Sequence, residues 1–135
     1  MNQAITTKRK RHILVVDDSD DMRILLGQIL EKAGHHVIFA EDGQTALAQA
    51  QLYHPSLILM DLSLPDMSGW EVVSRLRQKS EFLDTPIIAV TAHVSSDEVE
   101  RARAVGCTTH IGKPFDSTIL LRSVTRLLSS SAYRP

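Results

Sequence analysis

The chain holds a single cysteine, Cys107, among its 135 residues. One thiol builds no internal disulfide framework, so the fold must rest on an ordinary core, and a reducing compartment suits it. Long apolar runs are missing too: none approaches the roughly 20 residues of a membrane span. The first residues are polar and then basic, without the apolar stretch of a secretory signal. Neither sign of charge is in excess, with 15 basic against 16 acidic residues and a formal net charge of -1. Nothing global therefore points to nucleic acid or to an anionic membrane surface. The six histidines, His12, His35, His36, His54, His93 and His110, show no metal-ligand spacing with Cys107. A soluble, cytoplasmic protein of one domain is the expectation, since this length is near the modal domain size.

What is present is a regular alternation. Short apolar runs occur at Ile13-Leu14-Val15-Val16, Val37-Ile38-Phe39-Ala40, Leu57-Ile58-Leu59-Met60 and Ile87-Ile88-Ala89-Val90, with a weaker one at His110-Ile111. Four of the five are continuously apolar, as expected of parallel strands covered on both faces. Between them lie stretches with helical spacing. Met22, Leu25, Leu26, Ile29 and Leu30 precede a stop at Gly34, and an alanine- and glutamine-rich segment covers 44–52. Trp70, Val73, Leu76 and Arg77 follow Ser68-Gly69, and 97–105 follows Ser95 or Ser96 as N-cap with Gly106 as stop. Ile119, Leu120, Val124, Leu127 and Leu128 stripe the last helix. Five strands and five helices in strict alternation predict an α/β fold, a doubly wound five-stranded parallel sheet with right-handed crossovers. Residues 1–11, ending in Lys8-Arg9-Lys10-Arg11, read as a basic flexible arm, 12–128 as the domain and 129–135 as a short frayed tail.

In such sheets, ligands bind outside the carboxyl ends of the strands. The first run ends in Asp17-Asp18, the third in Asp61, the fourth in Thr91 and the fifth in Lys113-Pro114. Glu41-Asp42, after the second, read as ordinary solvated loop residues. Three carboxylates at one edge repel each other, so a divalent cation is the natural neutraliser. Magnesium, held by one or two carboxylates plus water and phosphate oxygens, suits an open cluster of this kind. A carboxylate can itself be a nucleophile and form an aspartyl phosphate. Phosphoryl transfer then needs mainly alignment and charge neutralisation, which a metal, an ammonium and a hydroxyl supply.

These pieces closely resemble the response-regulator receiver family over residues 11 to about 128. The matching segments are Val15-Val16-Asp17-Asp18, the run from Met60 through Pro65-Asp66-Met67-Ser68 to Gly69, Val90-Thr91-Ala92, Gly106-Cys107 and Lys113-Pro114-Phe115. The resemblance implies a flavodoxin-like sheet of strand order 2-1-3-4-5, with Asp61 as phosphoacceptor. Asp17 and Asp18 would form the acidic metal pocket. Asp18, Asp61 and the backbone carbonyl of Ser63 would be direct magnesium ligands. Thr91 would be the switch hydroxyl, Lys113 the partner of the phosphoryl group, and Lys113-Pro114 a cis bond. The implied partners are a sensor histidine kinase or histidine phosphotransfer protein, and a downstream protein met through the fourth helix, fifth strand and fifth helix. Homodimerisation stays open, and no catalytic or DNA-binding output segment is recognised in the chain. Such a protein is a phosphoacceptor switch that catalyses at most its own phosphorylation and slow autodephosphorylation.

One position departs from the family. Three residues before the lysine, where an aromatic ring usually turns inward on activation, stands His110. An imidazole entering an apolar slot is expected to do so neutral, so that acidification weakens the active state. His93, two residues past Thr91, is expected near the site mouth, either tuning the phosphoryl lifetime or merely exposed. Trp70 is expected to cover apolar surface, Cys107 to be packed and unreactive, and Pro65 and Gly69 to shape the loop after Asp61. Among rivals, a haloacid-dehalogenase-like phosphatase would need an acid where Ser63 stands. A dinucleotide or flavin module would need a Gly-x-Gly-x-x-Gly turn, where this chain has Asp17-Asp18-Ser19-Asp20-Asp21. A degenerate receiver that only binds partners is opposed by the intact acidic pair, Asp61, Thr91 and Lys113.

Overall fold

Strands and helices alternate along the chain as the pattern predicts. In a computed structural model that describes residues 12–92 and 95–132, the strands are β1 (His12–Val16), β2 (His36–Ala40), β3 (Leu57–Asp61), β4 (Ile87–Thr91) and β5 (Thr109–Gly112). The helices are α1 (Asp20–Lys32), α2 (Gly43–Tyr53), α3 (Gly69–Arg77), α4 (Ser96–Val105) and α5 (Ser117–Ala132), with a 3-10 turn at Ser80–Phe82 before β4. The basic arm at 1–11, His93 and the end of the tail at 133–135 lie outside the described residues.

All four strand pairings are parallel, in the order β2-β1-β3-β4-β5. Alternate strand residues serve two separate cores, because successive side chains point to opposite faces. Leu14, Val16, Ile58 and Met60 pack with Ala46, Ala50, Val72, Val73, Leu76 and Ala102 from α2, α3 and α4. Ile13, Val15, Leu57, Leu59, Ile88 and Val90 pack with Leu26, Leu30, Leu120, Val124 and Leu128 from α1 and α5. Cys107 is buried in the first core, and Trp70 packs against it, as expected of both.

Polar caps set where helices begin. Ser19, Ser68 and Ser95 each accept an N–H from the first turn of the helix they precede, at 3.2 Å, leaving fewer orphan donors. Asp116 does the same for α5, accepting from Thr118 and Ile119 at 2.7 and 3.2 Å. Gly34 (φ 97°) and Gly106 (φ 113°) follow α1 and α4 in the left-handed region that favours glycine.

Three expectations are corrected. The β2 run is not covered on both faces: β2 is an edge strand, half-exposed until Ala40, with Phe39 at the surface. Asp42 is no idle loop residue, since its carboxylate caps α2 by accepting the Thr45 N–H at 2.8 Å. Helix α5 runs on to Ala132, four residues into the segment read as a tail, with no glycine or proline to stop it before Pro135.

Candidate functional site

The carboxyl ends of β1, β3, β4 and β5 meet at one edge, and the polar residues there are largely buried. Asp17 is 1% exposed, Thr91 4% and Asp61 5%, while Asp18 faces solvent. Asp17, Asp18 and Asp61 each offer a carboxylate oxygen within 4.8 Å of the others. The Lys113 ammonium reaches into this group from the end of β5, donating to Asp17 Oδ2 at 2.8 Å and to Asp61 Oδ2 at 3.4 Å. The structure therefore brings together all the residues that the sequence singles out at strand ends: Asp17 and Asp18, Asp61, Thr91 and Lys113.

Local backbone contacts aim each group. Asp17 Oδ1 accepts the Ser19 N–H at 2.9 Å, while the Asp17 N–H donates to Ala40 O at 3.1 Å. Arg23, which sequence reasoning passed over, donates to the Asp17 carbonyl at 2.7 Å and pairs with Asp20. Asp61 Oδ1 accepts the Ser63 N–H at 3.0 Å, so the main chain at Ser63 runs beside the phosphoacceptor candidate. The Lys113 N–H donates to Thr91 O at 2.8 Å, and Lys113-Pro114 is cis. Gly69 donates to Leu62 O at 3.1 Å, and a side chain there would meet Asp61 O and Leu62 Cα at 2.6 Å. The loop after Asp61 closes on itself only because Gly69 has none.

The electrostatics are those of a crowded anionic pocket. Burial pushes the Asp61 carboxyl above its ordinary range; the Ser63 N–H opposes this, nearby Asp17 adds to it and Lys113 opposes it. Burial also works against the charge on Lys113, but Asp17 and Asp61 outweigh it and hold the ammonium more firmly protonated than usual. One ammonium thus faces three carboxylates, two of them buried. A hard, oxygen-seeking divalent cation fits that donor set and charge deficit.

His110 lies exposed on β5. A crevice too narrow for water separates it from the site, lined by His110, Leu62, Ala89, Thr91, Glu98, Val99 and Ala102. Arg101 stacks its guanidinium over the Trp70 ring, 4.5 Å from the centroid, joining α3 to α4. A second residue that sequence reasoning missed is Asp66. Its carboxylate accepts from Gly43 and Gln44 at the start of α2, at 2.7 and 3.0 Å. Pro65-Asp66 signals a turn, but its partners lie more than 20 residues back in the chain, where no local pattern points.

Doubly wound α/β proteins bind ligands at this edge, and here the edge is furnished for a cation and an anion together. Residues 13–125 match the family described as the response regulator receiver domain, and the chain belongs to that family. It is 33% identical over 121 residues to the polar-differentiation response regulator DivK of Brucella ovis, covering 90% of this chain and 98% of that protein. Among solved structures, the chemotaxis response regulator CheY4 of Vibrio cholerae superposes with a TM-score of 0.83 at 35% identity, covering 88% of this chain and 99% of that one. A CheY-like receiver domain protein from Methanospirillum hungatei gives 0.85 at 27% identity, covering 92% and 98%. The chain is a response-regulator receiver of the two-component type, with an acidic cluster able to hold a metal ion. No helix among the described residues is long and apolar enough to cross a membrane.

Proposed function

We propose that the protein is a phosphorylation switch in which Asp61 accepts a phosphoryl group from a phosphohistidine on a sensor kinase or phosphotransfer protein. The observation that carries this reading is the reach of the Lys113 ammonium to both Asp17 and Asp61 beside a third carboxylate. An Asp61 oxygen attacks phosphorus, the phosphorus–nitrogen bond breaks, and the imidazole leaves and regains its proton from solvent. Lys113 neutralises one phosphoryl oxygen and the Thr91 hydroxyl donates to another. Asp18, Asp61 and the Ser63 carbonyl would hold magnesium, with Asp17 acting through water; when bound, the ion would supply further neutralisation of the phosphoryl oxygens. Water later cleaves the acyl phosphate and resets the switch, so catalysis is confined to the protein's own phosphorylation and slow dephosphorylation. Drawing Thr91 toward the phosphoryl group opens the crevice beneath His110 and repacks α4, β5 and α5, changing affinity for a protein partner in the cytoplasm.

Acetyl phosphate should label wild-type protein in the presence of magnesium, adding one phosphoryl mass, and should leave Asp61→Asn unlabelled. Equal labelling of the two proteins, or labelling of wild type undiminished by a chelator, would overturn the assignment.

A further inference from the structure

The loop between β3 and α3 is fastened to a helix that the phosphoryl chemistry does not use. Asp66 accepts three backbone N–H groups, from Gly43 at 2.7 Å, Gln44 at 3.0 Å and Met67 at 2.9 Å. The first two belong to the opening turn of α2, which already has its own cap in Asp42. An apolar contact doubles the attachment. Met67 lies so close over Gly43 that a Cβ there would collide with Met67 Cγ. These donors hold the Asp66 carboxyl below its ordinary range, the Gly43 N–H most strongly, although the side chain is exposed.

What this attachment joins is specific. The start of α2 leads back through Asp42 and Glu41 to Ala40, whose carbonyl accepts the Asp17 N–H. The near side leads back from Asp66 to Ser63, whose N–H holds Asp61 Oδ1. The Asp66 carboxylate therefore closes a path of main chain and hydrogen bonds that runs from the acidic pair, through the start of α2, to the phosphoacceptor. We infer that Asp66 is a positioning residue: by pinning the loop to α2, it sets the Ser63 main chain and Asp61 relative to Asp17 and Asp18, and so sets the metal affinity of the site. The inference rests on the magnesium-dependent reading of that site.

The test is magnesium titration of the full chain, read from Trp70 emission and from amide NMR shifts at 61–63, at a temperature where every variant is folded. Asp66→Ala should weaken magnesium binding about tenfold, the low end for loss of an outer-shell partner. Asp66→Asn keeps one acceptor oxygen and should recover part of that loss. Asp42→Ala is the control for plain helix capping, because it strips the Thr45 N–H of its partner without touching the loop. It should lower Tm yet leave magnesium affinity within twofold of wild type, about 0.4 kcal/mol by the tenfold-per-1.4 relation. If Asp66→Ala binds magnesium as wild type does, or if Asp42→Ala weakens binding equally, Asp66 is only a cap and the inference is overturned. Should Asp66→Ala melt too early, Asp66→Asn against Asp42→Ala makes the same comparison. A wild-type protein without any magnesium response overturns the reading of the site, and the inference with it. That failure is distinguishable, because the variants then need not be compared.

Discussion

Asp61 is held in conflict by the groups around it. Its carboxylate is buried next to Asp17, and the one ammonium nearby sits closer to Asp17 than to Asp61. Its raised pKa means that the folded state resists ionising it. A group whose folded pKa lies above its unfolded value contributes stability below the unfolded pKa and loses it as pH rises through the folded one. Asp61→Asn should therefore raise the Tm of metal-free protein at neutral pH, by about 3 °C for a gain of about 1 kcal/mol. The gain should vanish once pH falls below about 4, where both forms of the protein carry a neutral group at 61. Thermal melts at the two pH values check this; a destabilised Asp61→Asn at pH 7 would mean that the Lys113 contact outweighs burial. Site strain of this sign is expected where a carboxylate is placed for chemistry rather than for stability.

At the scale of elements, the strands present the chemistry and the connecting loops aim it. Asp17, Asp61 and Thr91 each stand at or just past the last residue of a strand, where the sheet supplies rigidity on one side and space on the other. The β3–α3 loop depends on Gly69, because any side chain there would press on backbone atoms of Asp61 and Leu62 that cannot rotate away. Gly69→Ala should cost about 2 kcal/mol by overpacking, and should lower phosphorylation at Asp61 beyond what its Tm explains. Denaturant unfolding and acetyl phosphate labelling of the same sample separate these effects. Labelling at the wild-type rate would show that the loop relaxes without moving Asp61. By contrast, α3 and α4 are joined across their exposed sides by Arg101 over Trp70, a cation–π contact that is weak at the surface.

The whole molecule is a sheet between two cores, with α1 and α5 on one face and α2, α3 and α4 on the other. Ions that bind only the folded state stabilise all of it, because the carboxylates converge only when β1 and β3 pair. Magnesium at about a hundred times its Kd should add about 2.7 kcal/mol and raise the Tm of wild type. That magnesium-dependent increment should fall further in Asp18→Ala than in Asp17→Ala, because solvent-facing Asp18 is the proposed direct ligand while Asp17 is committed to Lys113. Equal increments in wild type and both variants would place the ion elsewhere.

Much of this was legible in the chain itself. Apolar runs of four residues alternating with helical stripes specify a parallel, doubly wound sheet, because strands covered on both faces favour such runs and helical crossovers connect parallel strands. Polar residues ending those runs had to reach one edge, so Asp17, Asp18, Asp61, Thr91 and Lys113 were identifiable before their distances were known. The sequence could not distinguish an edge strand from an inner one, because Val37-Ile38-Phe39-Ala40 is as apolar as its neighbours and its exposure depends on where β2 sits in the sheet. Nor could it reveal that Asp66 caps a helix 23 residues earlier, or that Lys113 lies nearer Asp17 than Asp61. Periodicity and turn chemistry are local and are written residue by residue. Contacts between segments distant in sequence depend on how the helices pack against the sheet, and only the tertiary structure decided those.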